Sequence, residues 1–217
     1  MLFRSLGAVV RRGGERLILS NNHVLANSNE ASPGDAILQP GPADGGKAED
    51  RIGVLDTFVP IAFDEPPSRL RALFLRLMRL FGLEPPTPAP TTGNRVDCAL
   101  ARPVREGDVS DEVLEIGRVA GTVEVHVGVT VRKSGRTTGL TEGRITAIGA
   151  TVRVVYGDQA ATFREQLVAG PMSRPGDSGS LLVDAANRAV GLLFAGSDRS
   201  TVFNPIAAVR DSLGIDV

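Results

Sequence analysis

At 217 residues, with 42% hydrophobic and 23% charged positions, the chain has the composition of an ordinary globular protein, enough for one or two compact domains with a real core. A net charge of −1 gives no bulk electrostatic attraction to nucleic acid or to an anionic membrane, and no apolar run is long enough to cross a bilayer. One cysteine (Cys98) excludes an internal disulfide, and with only two histidines it leaves too few ligands for a usual zinc site, so no metal and no cofactor are expected.

Glycine and proline are frequent, and valine-rich runs alternate with polar residues, a pattern that predicts an all-β chain of short strands and turns. Residues 6–11 and 16–19 read as strands joined by Gly13-Gly14, a hairpin signal. The N-terminal residues do not read as a signal peptide, because only a short apolar run separates Arg4 from Arg11-Arg12. With the lack of disulfides, this gives a cytoplasmic expectation. Next comes His23, in an apolar run that turns polar at Ser20-Asn21-Asn22 and then resumes. Strands are predicted over 51–55 and 57–61.

Between 64 and 93 lies a segment of different character. Leu70, Leu73, Phe74, Leu77, Leu80 and Phe81 recur at helical spacing between a plausible N-cap at Ser68 and a stop at Gly82, and four arginines flank them. A helix over 68–82, followed by a proline-rich linker, is the expectation. Its readings are packing on the protein's own exterior, a subunit contact, a lid near the cleft or a membrane-surface helix; Leu75 and Met78 widen the apolar face, which favours a protein partner over lipid.

A further strand is predicted over 97–101. Asp97 opens it inside Val96-Asp97-Cys98-Ala99-Leu100, where a carboxylate is costly to bury without a partner, and a histidine N–H would satisfy it. The second histidine, His126, alternates with valines in a predicted strand over 123–132, as an outward-facing residue would. Strands are then expected over 143–147, 151–156, 166–169, 180–183, 189–194 and 201–203, with a short helix over 205–213. Between them sits Gly176-Asp177-Ser178-Gly179-Ser180. A serine held among small residues, in a turn whose backbone N–H groups can converge on one spot, is a candidate nucleophile.

The order His23, Asp97, Ser178 is that of chymotrypsin-like proteases, and the local sequences resemble that family as well. Ser20-Asn21-Asn22-His23-Val24 stands where the family has a small-residue run ending in His. Asp97-Cys98-Ala99-Leu100 is similar to its Asp segment, and Gly176-Asp177-Ser178-Gly179 matches its nucleophile motif. Residues 19–27, 37–41 and Lys133-Ser134-Gly135-Arg136-Thr137-Thr138-Gly139-Leu140-Thr141 resemble the cysteine-poor peptidases of bacteria and plants typified by the plant NARROW LEAF protein. The likeness covers most of the chain apart from 64–93.

The resemblance implies two six-stranded-type antiparallel β-barrels, 1–110 carrying His23 and Asp97 and 111–217 carrying Ser178, with the helical insertion in the first and a C-terminal helix after the second. Only 22 residues precede His23, so the first barrel is expected either to be trimmed or to continue upstream. It implies a serine endopeptidase with peptide or protein substrates. Its catalytic residues would be His23, Asp97 and Ser178, and the N–H groups of Gly176 and Ser178 would form its oxyanion hole. By analogy Met172 lies at the base of the primary pocket, with Phe194-Ala195-Gly196 as one wall and Thr201 near the other; no acid stands there, so small or medium apolar side chains are expected. In zymogen-type relatives a freshly cut N-terminus pairs the equivalent of Asp177. Here no activation peptide is evident, so Asp177 is expected to be satisfied locally, or its loop to be ordered by oligomerisation or substrate. The rival readings are a silent scaffold on a protease fold and a protease that cuts only its own precursor. An α/β-hydrolase elbow is excluded by Ser180, which stands where that motif needs glycine.

Overall fold

The computed structural model describes residues 7–65 and 93–217. The predicted helix over 68–82, and with it most of the 64–93 insertion, lies outside them.

The chain opens on the predicted hairpin, β1 (Ala8–Arg12) and β2 (Glu15–Ser20), turning at Gly13-Gly14. A one-turn helix, α1 (Asn22–Leu25), follows directly. Next come β3 (Ala36–Leu38), β4 (Arg51–Phe58) and β5 (Ala99–Pro103). These strands form an antiparallel sheet in the order β1-β2-β5-β4-β3. Of the runs 51–55 and 57–61, predicted as two strands, residues 51–58 form one strand whose register shifts against β5 between Leu55 and Thr57, and 59–61 lie outside it. The sequence reading passes over β3, because three residues between turns are too few to show a period.

A small hairpin, β6 (Glu112–Val113) and β7 (Gly117–Arg118), leads into the second half. There β8 (Thr130–Gly135), β9 (Gly139–Tyr156), β10 (Gln159–Ala169), β11 (Leu181–Val183), β12 (Ala189–Gly196) and β13 (Thr201–Pro205) close a six-stranded barrel in the order β10-β13-β12-β11-β8-β9. Helix α2 (Ile206–Leu213) ends the chain as predicted. Among the described residues no helix is long and apolar enough to cross a membrane.

Several predicted strands of this half differ in their bounds, and β10 begins seven residues before the predicted 166–169. Residues 143–147 and 151–156 belong to the single long strand β9, and irregularities in its pairing with β10 absorb the break that Gly149 suggests. The strand expected over 123–132 begins only at Thr130, because Val127-Gly128 turns the chain. His126 is exposed, as expected, but in a segment without strand pairing.

Strand alternation explains how the halves join. Leu17 and Leu19 of β2 and Leu181 and Val183 of β11 share one core with Val209 and Leu213 of α2. The intervening Ile18 faces the first sheet's own core and Leu182 the barrel interior. Successive strand side chains point to opposite faces, so β2 and β11 are buried on both and read as continuous apolar runs. The shared core brings the start of β5 against the six-stranded barrel, and that junction carries the candidate site.

Candidate active site

Helix α1 begins right after β2 and carries His23 at its second position, while Asp97 lies two residues before β5, the neighbour of β2. The pairing of β2 with β5 therefore sets the two side chains together. His23 Nδ1 is 2.6 Å from Asp97 Oδ2, and the His23 backbone N–H donates to Asp97 Oδ1 at 3.2 Å. With a carboxylate as its partner, Nδ1 carries the proton and Nε2 is left as the basic nitrogen. Asp97 is wholly buried, and its backbone is fixed by three further bonds. Asn204 accepts from the Asp97 N–H at 3.1 Å, and the amides of Asn204 and Asn21 donate to the Asp97 carbonyl at 3.0 and 2.8 Å. A third side chain reaches the carboxylate, since Tyr156 Oη donates to Oδ2 at 2.9 Å. Burial, and then the Asp97 charge beside it, push the Cys98 thiol far above its ordinary value, so this sulfur is an inert core group.

Ser178 lies on the loop between β10 and β11 and, with His23, lines a cleft of about 1330 Å³. No hydrogen bond joins Ser178 to His23; both side chains border the same cleft. The loop is ordered from within. Gly176 adopts φ 95°, a left-handed conformation that favours glycine. The N–H groups of Asp177 and Gly179 are committed to the carbonyls of Arg174 and Leu193, at 3.0 and 2.8 Å.

Asp177 is the loop's anchor. Its buried carboxylate accepts from Lys133 Nζ at 3.1 Å, the Thr138 hydroxyl at 2.7 Å, and the N–H groups of Thr137, Thr138 and Arg174 at 2.8, 3.2 and 3.0 Å. Lys133 is also fully buried and donates as well to the Thr138 hydroxyl. Burial alone would raise the Asp177 carboxyl, but the Arg174 N–H, the Thr138 hydroxyl, the Thr137 N–H and the Lys133 ammonium outweigh it and hold it below the usual carboxylate range. Gly135 is required by close approach, because a Cβ there would sit 2.5 Å from Asp177 Oδ1. Asp177 is thus satisfied locally, the first of the expected alternatives.

The expected pocket residues Met172, Phe194, Ala195 and Gly196 all line the cleft. Thr201 stands behind the wall, fully buried, where its hydroxyl accepts the Met172 N–H at 3.0 Å; the Thr141 hydroxyl donates to the Met172 carbonyl at 2.8 Å. Three contributors escaped the sequence reading: Tyr156 and Asn204 on Asp97, and Lys133 on Asp177. For Lys133 a signal existed. It shares a strand face with Val131 and Gly135, and a lysine on a buried face needs a carboxylate.

No family model matches the chain. A stretch of 79 residues is 40% identical to serine protease 2 of Streptomyces fradiae, covering 36% of this chain and 43% of that protein. Thus less than half of that curated relative's length is matched. Solved structures extend the likeness to nearly the whole chain. A Nocardiopsis protease superposes with a TM-score of 0.61 at 18% identity, covering 97% of this chain and 90% of that one. Thermobifida fusca protease A gives 0.60 at 18% identity, covering 97% and 89%. Cellulomonas bogoriensis chymotrypsin gives 0.56 at 21% identity, covering 99% and 98%. The chain has the chymotrypsin-like serine protease fold.

Proposed function

We propose that the protein is a serine endopeptidase that hydrolyses peptide bonds through an acyl-enzyme on Ser178. The observation that carries the reading is the buried Asp97 holding His23 Nδ1 at 2.6 Å beside a cleft that Ser178 also lines. His23 takes the Ser178 proton during attack and returns it to the leaving amine, while Asp97 fixes the tautomer and stabilises the imidazolium. The N–H groups of Gly176 and Ser178 hold the oxyanion, and a water then repeats the cycle on the acyl-enzyme. In this reading the halves, 1–110 and 111–217, act as two domains, one supplying base and orienter and the other the nucleophile. The resemblance of its motifs to those of the cysteine-poor peptidases typified by the NARROW LEAF protein supports a place in that group. The lone cysteine, a buried thiol, suits a reducing compartment such as the cytoplasm.

The test of the reading is covalent. A fluorophosphonate probe is expected to label the wild type at Ser178, and mass spectrometry of the labelled peptide locates the adduct. A folded protein that takes up no label at Ser178 refutes the assignment.

Substrate preference follows from the pocket. Met172, Phe194 and Ala195 give it apolar walls, so cleavage after small or medium apolar residues is expected. Profiling on a peptide library checks this, and predominant cleavage after arginine contradicts it.

A further inference from the structure

We infer that Tyr156 is a positioning residue of this site, a donor from the six-stranded barrel that fixes the carboxylate of Asp97. Its catalytic consequence rests on the serine-protease reading; the contact rests on geometry alone.

Tyr156 is the last residue of β9, while Asp97 belongs to the first half of the chain. The phenol donates to Asp97 Oδ2 at 2.9 Å, the same oxygen that takes His23 Nδ1–H at 2.6 Å, and Oδ1 takes the His23 backbone N–H. Both carboxylate oxygens are therefore engaged, and the carboxylate plane is set by donors on two sides. The ring itself is held. It lies tilted against His23 with centroids 5.6 Å apart, edge-on to Phe63 at 6.0 Å, and tilted to Phe163 at 6.3 Å. Val152 and Val154, on the same face of β9, pack in the same cluster.

Among the described residues Tyr156 supplies the one side-chain hydroxyl that bonds the Asp97 carboxylate. Phe194 of β12, which lines the same cleft, carries no hydroxyl and lies tilted against Phe163 with centroids 4.8 Å apart. A buried carboxylate is costly unless its lone pairs are met, and Tyr156 meets one that water cannot reach. Burial, and then the Asp97 charge, push the phenol far above its ordinary value, so it remains a donor throughout the working range. The other ionisable groups near the pair are the inert Cys98 thiol and, lining the cleft, Arg153, Arg174 and Asp198. Arg153 is paired with Asp64.

The chain has one tyrosine and no tryptophan, which makes the contact readable by spectroscopy. In the wild type no phenolate absorbance is expected near pH ~11, where an ordinary tyrosine is mostly ionised. Tyr156→Phe keeps the ring and removes the donor. Its kcat is expected to fall roughly tenfold with KM unchanged, the effect of one misaligned charge-assisted bond. With one donor fewer on Oδ2, the carboxylate pulls harder on the imidazolium. The acid limb of kcat/KM against pH then moves to higher pH, and the His23 Nδ1–H NMR resonance moves downfield. A merely structural tyrosine would move neither. Wild-type kcat, pH profile and resonance in a folded variant overturn the inference, as does phenolate absorbance of the folded wild type near pH ~11. Failure of the protease reading shows separately, as missing label on wild-type Ser178, and leaves the resonance and the absorbance to decide the contact.

Discussion

Ser178→Ala is expected to lower kcat by about 10⁶-fold while leaving the fold intact. The size of the effect comes from the interdependence of the three side chains. In the proposed mechanism, loss of the nucleophile leaves His23 and Asp97 with no proton to move, and only substrate binding and the oxyanion donors remain to accelerate hydrolysis, a residual about 10³ to 10⁴ over water. The cost in stability is small for a local reason. Ser178 is only half-buried, and the loop is held by its neighbours: Asp177 through Lys133 and the Thr137-Thr138 backbone, Gly179 through Leu193. The substitution removes no buried partner, so a change within about 1 kcal/mol is expected. Peptide hydrolysis and thermal melting on the same preparation check both halves. Undiminished hydrolysis by the alanine variant would remove Ser178 from the mechanism; loss of the cooperative melt would mean that the loop depends on the hydroxyl after all.

The spacing of motifs conveyed the pairing of His23 with Asp97, because both flank strands whose apolar runs are legible. Leu17-Ile18-Leu19 and Ala99-Leu100-Ala101 are buried on both faces, and a chain that pairs them must bring the residues at their ends together. Other parts were hidden for physical reasons. Tyr156 closes an alternating run, Val152 to Tyr156, that predicts its strand face but not a partner 59 residues back in the sequence. Asn204 sits mid-strand in β13, where an amide reads as an interruption of an apolar run; only the packing of the two halves shows that it fastens the Asp97 backbone. The strand once expected around His126 failed for a simpler reason: valine alternation outweighed a glycine that turns the chain.

Lys133→Met is expected to destabilise the protein by about 3–5 kcal/mol, the cost of leaving a buried carboxylate without its cation. For a chain of this size that corresponds to a fall in Tm on the order of 10 °C. The loss should be selective for the nucleophile loop, since Asp177 directly precedes Ser178 and its carboxylate gathers Lys133, Thr137, Thr138 and Arg174 onto one point. Activity is therefore expected to fall further than global unfolding at the assay temperature explains. The pH dependence has a definite sign. The folded Asp177 carboxyl lies below its ordinary range, so its stabilisation is fully present above about pH 4 and is lost as pH falls through the depressed folded value. Without the ammonium that value rises, and the acid-side loss of stability should begin at higher pH than in the wild type. Adding Asp177→Asn to Lys133→Met removes the unpaired charge and is expected to recover part of the stability, because a neutral amide costs less to bury. Urea or thermal unfolding of the two variants across pH reads all of this. If the single variant melts with the wild type and turns over at its rate, the hydrogen bonds from Thr137, Thr138 and Arg174 suffice to order the loop, and the buried lysine is not its anchor.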